Sequence, residues 1–417
     1  MQKKGFTLLG VLVSMFWLSG CVGTPDSEGW RSSQKEQFLQ ILQEDRYASL
    51  CDLKPLYEKV KETHNSKLMS KLLVEYANNL ANSCIDIPAF QRAQEARVSD
   101  EFKADYEIYK QKVDASQLKM QLQAGVPFAQ MFAPYVPKYR EWQRLLTRYH
   151  ALRNQPEVDL ALVKRVKLNL ERVKLFRPLT TPSYALINIP EFNVRIIENN
   201  TTAVKMRVVV GKQKMQTPIF SEYLKYIVVN PQWNVPDSIA RKEIIPKALR
   251  NPNYLASHRL EVRRDYNLDS PKLDFNSLNA KVYVEDDTKR LPFKFIEPPS
   301  KKNGLGRVKF LFPNKHSVYM HDTQSKYLFK RAVRTFSHGC IRLSKPTELL
   351  EYIVTHYTNM PWEEAKEKYD SFETHYITLT KPLQVHTSYL TTYVEDNGTL
   401  LQFNDIYGYD AIQHLKE

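Results

Sequence analysis

The most informative stretch of the sequence is "RTFSHGCIRLSKP", from Arg334 to Pro346, in a chain with only four cysteines and twelve glycines. It places a histidine, a glycine and a cysteine in succession. A thiol attacks carbonyl carbons as the thiolate, so it needs a nearby base or positive charge. The stretch therefore predicts a nucleophile at Cys340, with a tight turn around a buried, inert thiol as the alternative.

Two histidines are candidate bases for this thiol. His338 lies two residues before Cys340, and residues i and i+2 of an extended segment share a face. His321, in "YMHDT", lies nineteen residues before Cys340 at the end of a predicted strand. Gly339 permits a close backbone turn that leaves successive N–H groups free for a developing oxyanion, and Arg342 adds a positive charge suited to a substrate carboxylate.

A zinc site is the chief chemical rival, with His316, His321, His338 and Cys340 as possible ligands. The sequence has no paired Cys-x-x-Cys or His-x-x-x-His arrangement of the kind that structural zinc uses. We therefore expect no metal and no cofactor.

The N-terminus predicts export. Lys3 and Lys4 precede a short apolar run from Phe6 to Leu18, which is too short to span a bilayer. The following "LSGC" resembles the lipobox of bacterial lipoproteins, which predicts a signal peptide over residues 1–20 and acylation of Cys21. Several acyl chains together anchor a protein stably to a membrane. An ordinary signal peptide with an incidental cysteine is the alternative.

Export also bears on the remaining cysteines. Cys51 and Cys84 flank one helical segment, so a disulfide between them is plausible in an oxidising compartment, with two buried free thiols as the alternative. In either case Cys340 is left as a reactive, unpaired thiol.

Composition limits the partners. The net charge of +14 is spread along the chain, without a basic tail. This pattern argues against a nucleic-acid-binding arm and for a broadly cationic surface, which would suit an acidic polymer or anionic lipid headgroups.

The pattern of apolar residues predicts an α+β protein with two unlike parts. Residues 21–33 read as a polar tether, and residues 34–175 as a helical, scaffold-like domain. The helical stripes comprise Leu68, Leu72, Leu73, Tyr76 and Leu80; Tyr139, Trp142, Leu145, Leu146 and Tyr149; and Val163, Val166, Leu170 and Val173.

Short β-rich runs follow over residues 181–410, which predicts a mainly-β domain resembling a β-sandwich. A polar, proline-dotted insertion at about 236–303 interrupts it. Within the insertion, "PKALRNPNYLASHRLEV" reads as helical and "AKVYVEDD" as extended. An insertion of this length in a compact sheet domain is usually functional or mobile.

The segment "HDTQSKYLFKRAVRTFSHGCIRL" resembles the signature of the L,D-transpeptidase (YkuD-type) catalytic domain: a histidine, a spacer of about fifteen residues, then Ser/Thr-His-Gly-Cys. "VGKQKMQTP", "VVNPQWNVP" and "GLGRVKFLFPN" are similar to the large Gram-negative branch of that family, which carries an N-terminal scaffold domain. That branch usually has a peptidoglycan-binding module as well, and no segment here resembles it.

The resemblance implies a role for each matching residue. Cys340 would be the nucleophile and His321 the proton donor and acceptor, with His338 as a supporting residue. The substrate-binding residues would be Tyr319, Ser337, Arg342 and Trp233, the last near the hinge of the 236–303 lid.

The implied reaction is peptidoglycan L,D-transpeptidation. Cys340 would attack a donor tetrapeptide stem and expel D-alanine, and the side-chain amine of another stem would resolve the acyl-enzyme into a 3-3 cross-link. The open alternatives are an L,D-carboxypeptidase that trims tetrapeptides to tripeptides, an enzyme that attaches proteins to peptidoglycan, and a non-catalytic wall-binding scaffold lipoprotein.

The expected location is the periplasm, with a lipid anchor in the inner leaflet of the outer membrane. Peptidoglycan stem peptides and the membrane are the expected partners, and carbapenems are expected to acylate Cys340.

Overall fold

The computed structural model describes residues 24–97, 105–286 and 288–416. The chain is 38% helix and 20% strand, with a helical N-terminal region followed by a sheet-rich domain, which confirms the predicted α+β class. The predicted signal peptide and Cys21 lie outside the described residues. None of the described helices is both long enough and apolar enough to cross a membrane.

The helices of the described residues are as follows: α1 (Ser32–Gln43), α2 (Lys54–Thr63), α3 (Ser66–Asn82), α4 (Ile87–Arg97), α5 (Ala115–Gln123), α6 (Phe128–Phe132), α7 (Arg140–Arg153), α8 (Leu160–Val173), α9 (Asp237–Ile239), α10 (Ile245–Arg250), α11 (Tyr254–Ser257), α12 (Val282–Glu285), α13 (Pro346–Tyr357) and α14 (Trp362–Asp370).

The strands of the described residues are as follows: β1 (Tyr184–Asn188), β2 (Asn193–Glu198), β3 (Thr201–Gly211), β4 (Phe220–Val229), β5 (Trp233–Asn234), β6 (Glu261–Arg263), β7 (Lys294–Glu297), β8 (Val308–Leu311), β9 (Met320–His321), β10 (Thr335–Ser337), β11 (Ile341–Leu343), β12 (His375–Ser388), β13 (Thr392–Val394) and β14 (Leu400–Gln402).

Among the described residues, one compact unit is helical and comprises 24–79 together with 112–136. Its core is aromatic: Phe38 lies 5.4 Å from Phe128 and 5.6 Å from Trp30, between ring centroids. Trp30 is buried, and Asp26 accepts hydrogen bonds from the backbone N–H of Glu28 and Trp30. The predicted tether over residues 21–33 is therefore too long, because its second half packs into this unit.

The second unit comprises residues 80–111 and 137 onward, within the described ranges. It contains α7 and α8, which the sequence analysis grouped with the helical scaffold domain of residues 34–175. Charged residues hold both helices to the sheet: the buried Arg140 donates to Tyr393 Oη at 2.9 Å, and the buried Arg172 pairs with Asp410 at 2.7 Å. Apolar periodicity predicted the two helices correctly but carries no information about such partners.

The main sheet has nine strands in the order β10-β3-β11-β9-β8-β4-β12-β1-β2, and β3 pairs with β2 as well. The sheet therefore closes on itself around an apolar core. Helix α13 packs against this core through Leu349, Leu350, Ile353 and Val354, all fully buried.

The insertion folds into a small layer of its own, here called the lid subdomain (residues 233–303). Its sheet has the order β5-β7-β6, and its core includes Ile245, Phe293 and Phe295. The prediction of an extended "AKVYVEDD" is wrong, because Val282–Glu285 is helical. Tyr283 of this turn packs against the lid core, a tertiary contact that overrides the strand propensity of "VYV".

Candidate active site

The site lies on β9 and β11, which are parallel neighbours in the main sheet. Their register pairs Met320 with Ile341 and His321 with Arg342. Met320 and Ile341 are fully buried in the core, and side chains alternate along a strand. The flanking residues therefore share the opposite face of the sheet, where four of them line one cavity: Tyr319, His321, Cys340 and Arg342.

His321 is buried, with 5% of its surface exposed. Burial lowers its pKa to about 3, with the positive charge of Arg342 acting in the same direction. Its Nδ1 atom has no hydrogen-bond partner among the described residues. His321 is therefore a neutral imidazole at pH 7, with a ring nitrogen available to take a proton.

A second buried histidine, His386, also has a pKa lowered to about 3, by burial and then by the charge of Arg177. An unfolded histidine titrates near pH 6.5, so below that pH the unfolded chain binds protons that the folded chain does not. The free energy of unfolding is then expected to fall as pH drops from about 6.5 towards 3, by up to about 1.4 kcal/mol per pH unit for each histidine.

Urea unfolding across this pH range tests the expectation with His386→Gln, which should lose less stability on acidification than the wild type. The exposed His356 provides the matched control, and His356→Gln should follow the wild-type curve. Parallel curves for His386→Gln and the wild type would contradict the assignment.

Cys340 is the free cysteine among the described residues and is half-buried. Its Sγ lies 3.8 Å from the carbonyl oxygen of Ser317. Burial raises the pKa of Cys340, although hydrogen bonds from Tyr319 and the charges of Lys309 and Arg342 oppose the rise. The resting site therefore pairs a neutral thiol with a neutral imidazole.

Lys309, which no sequence motif indicated, lies on β8 directly opposite His321. Its Nζ lies 4.0 Å from the ring centroid of Tyr319, and burial lowers its pKa. Among the described residues neither Lys309 nor Arg342 forms an ion pair with a carboxylate, and Arg342 Nε has no hydrogen-bond partner. Two uncompensated cations therefore lie beside the thiol.

Tyr319 remains a neutral phenol, because burial and the neighbouring Cys340 raise its pKa well above 10. Its hydroxyl is then a permanent hydrogen-bond donor next to the sulfur. The structure thus places this predicted substrate-binding residue in contact with the nucleophile itself.

The loop before Cys340 is held by Ser337, which is buried. Ser337 Oγ donates to the carbonyl oxygen of Cys340 at 2.6 Å and accepts the N–H of Gly339 at 3.2 Å. Gly339 has a φ of +110°, a conformation that favours glycine. The prediction that its N–H serves the oxyanion is contradicted, because that N–H is already bonded within the loop.

His338 pairs with Glu243 of the lid subdomain, at 2.5 Å between Nε2 and Oε1. Burial raises the pKa of Glu243, but His338 and the charges of Lys247 and Lys212 outweigh it, so the pKa is lowered overall. The two residues lie 95 positions apart, so no local motif links them.

The cavity has a volume of about 420 Å³ and is lined by both the main sheet and the lid subdomain. Trp233 lines it from the start of the lid subdomain. Two carboxylates line the cavity, Glu243 and Glu297. Glu297 forms an ion pair with Arg259 at 2.5 Å and accepts a hydrogen bond from the N–H of Gly304.

Among the described residues, His316, His321, His338 and Cys340 do not bring their ligand atoms close enough together to hold one metal ion. His316 instead contacts Glu107 Oε1 at 3.0 Å through Nε2 and Asp105 at 3.3 Å through Nδ1.

Comparison with known proteins gives one family. Residues 182–366 match the L,D-transpeptidase catalytic domain, also called YkuD. A putative L,D-transpeptidase of Haemophilus influenzae is 26% identical over 260 residues, which cover 61% of this chain and 50% of that protein. The match thus spans about half the length of this relative.

Solved structures are more distant. An L,D-transpeptidase from Mycobacterium smegmatis is 14% identical, with 49% of this chain and 58% of that chain covered and a TM-score of 0.22. An L,D-transpeptidase in complex with imipenem is also 14% identical, with the same coverage and a TM-score of 0.21. Nothing about the present site rests on these two structures.

Proposed function

We propose, from the premise that residues 182–366 form an L,D-transpeptidase catalytic domain, that this protein cross-links peptidoglycan through an acyl-enzyme on Cys340. The observation that carries the proposal is the shared cavity of a free thiol and a neutral imidazole with an unpartnered Nδ1. An imidazole in that state accepts a proton, and a thiol that loses one becomes the stronger nucleophile.

In the first step the sulfur of Cys340 attacks the carbonyl carbon before the terminal D-alanine of a donor stem. His321 takes the thiol proton through Nδ1 and gives it to the leaving amine of D-alanine. The thiolate and the developing oxyanion are stabilised by the charges of Lys309 and Arg342 and by the Tyr319 hydroxyl. A carbon–sulfur bond forms as the carbon–nitrogen bond to D-alanine breaks.

The donor is an anionic peptide, and the cavity contains the cations to bind it. Arg342 lacks a carboxylate partner among the described residues, so a stem-peptide carboxylate would complete its ion pairing. We assign Arg342 and Trp233 to the donor side on this basis.

Product analysis tests which acceptor resolves the acyl-enzyme. Purified protein incubated with disaccharide-tetrapeptide should give dimers linked between the third residues of two stems, detected by mass. Tripeptide monomers alone, at high acceptor concentration, would mean that water is the acceptor and that the enzyme is an L,D-carboxypeptidase.

We further propose that the protein is a periplasmic lipoprotein anchored through Cys21, because "LSGC" resembles a lipobox. Cys21→Ser, exported by a signal peptide that does not need that cysteine, should move from the membrane fraction to the soluble periplasm. An unchanged membrane fraction would reject the anchor.

A further inference from the structure

The contact between Glu243 and His338 joins the lid subdomain to the loop that carries the nucleophile. Glu243 lies in a π-helical turn, Ala240–Ile244, a rare element that is frequent at functional sites. His338 lies two residues from Cys340, and all three side chains line the same cavity. The contact therefore lies beside the nucleophile, in the same cavity.

The contact also selects a tautomer of the neutral His338 ring. A carboxylate only accepts hydrogen bonds, so Nε2 carries the hydrogen that Glu243 accepts, and the lone pair of a neutral imidazole is then on Nδ1. This is the arrangement in which a carboxylate orients a histidine as a general base. His338 is 27% exposed in its side chain, so a ligand in the cavity has access to it.

The charges of the cavity differ from one wall to the other. Lys309 and Arg342 make the side next to Cys340 cationic, whereas Glu243 contributes a carboxylate on the lid side. The negative charge of Glu243 is partly compensated by the positive charges of Lys247, which is 3.6 Å away and 46% exposed, and of Lys212. The other lining carboxylate, Glu297, is neutralised by Arg259.

We propose that Glu243 and His338 form the acceptor site, in which His338 is the general base for an incoming primary amine and Glu243 is its positioning residue. This inference rests on the proposed function, because it needs an acyl group on Cys340. It assigns residues of this chain to the acceptor side of the cavity, where an amine rather than water would be deprotonated.

The transfer step needs only His338, the acyl group on Cys340, the acceptor amine and solvent. The acceptor ammonium loses one proton to solvent, and the amine lone pair attacks the thioester carbon. The carbon–nitrogen bond forms, the carbon–sulfur bond breaks, and the sulfur leaves with the bonding pair as thiolate. His338 Nδ1 takes the second nitrogen proton, which returns through solvent to the sulfur and restores the thiol.

The test is Glu243→Gln, with two rates measured on the same full-length protein. With disaccharide-tetrapeptide as donor and acceptor, dimer formation should fall about tenfold or more, because the variant loses part of the general-base catalysis by His338, which typically contributes about 10²- to 10⁴-fold. Adduct formation with imipenem, which reports the first step alone, should stay within about twofold of the wild type. Glu243→Asp, which keeps the carboxylate, should recover part of the dimer formation.

Glu285→Gln is the matched control. It removes the same charge from an exposed lid residue that pairs with Lys281 and does not contact His338. Wild-type dimer formation by Glu243→Gln would overturn the proposal, and so would an equal fall in both rates, which would make Glu243 a support of the loop. Failure of the wild type to form an imipenem adduct would instead overturn the proposed function.

Discussion

Replacing His321 with glutamine is expected to slow the release of D-alanine from disaccharide-tetrapeptide by about a thousandfold, within the range of general-base catalysis. Glutamine retains hydrogen-bonding capacity in the buried position but has no atom that takes up the thiol proton. The rate constant for D-alanine release at saturating substrate is the quantity to measure.

The exposed His356 again supplies the control, and His356→Gln should release D-alanine at the wild-type rate. Circular dichroism should show that His321→Gln is folded. A folded His321→Gln protein with more than a tenth of the wild-type rate would remove His321 from the mechanism and leave His338 as the remaining candidate base.

Replacing Cys340 with alanine has the largest expected effect, because it removes the atom that forms the covalent intermediate. D-alanine release should fall to the rate of a reaction without enzyme, with no dimers and no tripeptides. Because the side chain is small and half-buried, with its polar contacts limited to Ser317 and Tyr319 among the described residues, the folded structure should persist.

Cys340→Ala separates the enzyme from the non-catalytic scaffold alternative. The only activity of a non-catalytic scaffold is peptidoglycan binding, and the variant would keep that activity in full. Retained D-alanine release would mean that another group is the nucleophile.

Much of the fold could be predicted from apolar periodicity. The stripes through Tyr76, Trp142 and Val166 correspond to α3, α7 and α8. Periodicity did not assign α7 and α8 to the sheet unit, because buried side chains such as Arg140 and Arg172 hold them there. The partners of these arginines lie about 250 positions away in the sequence, so no local pattern reveals them.

The sequence predicted the site residues that belong to a recognisable motif. His321 and Cys340, both found through the signature, line one cavity because β9 and β11 are parallel neighbours. Lys309 and Glu243 could not be found in this way. Lys309 reaches the site through the register of β8 against β9, and Glu243 reaches it through the packing of the lid subdomain. The role given to Gly339 failed because the Ser337 hydroxyl already occupies its N–H.

Intact-mass measurement after incubation with imipenem tests the central claim most directly. The account predicts a single adduct on the wild-type protein, located at Cys340 by peptide mapping, and no adduct on Cys340→Ala. An active wild-type protein that stays unmodified, or an adduct that persists in Cys340→Ala, would contradict it.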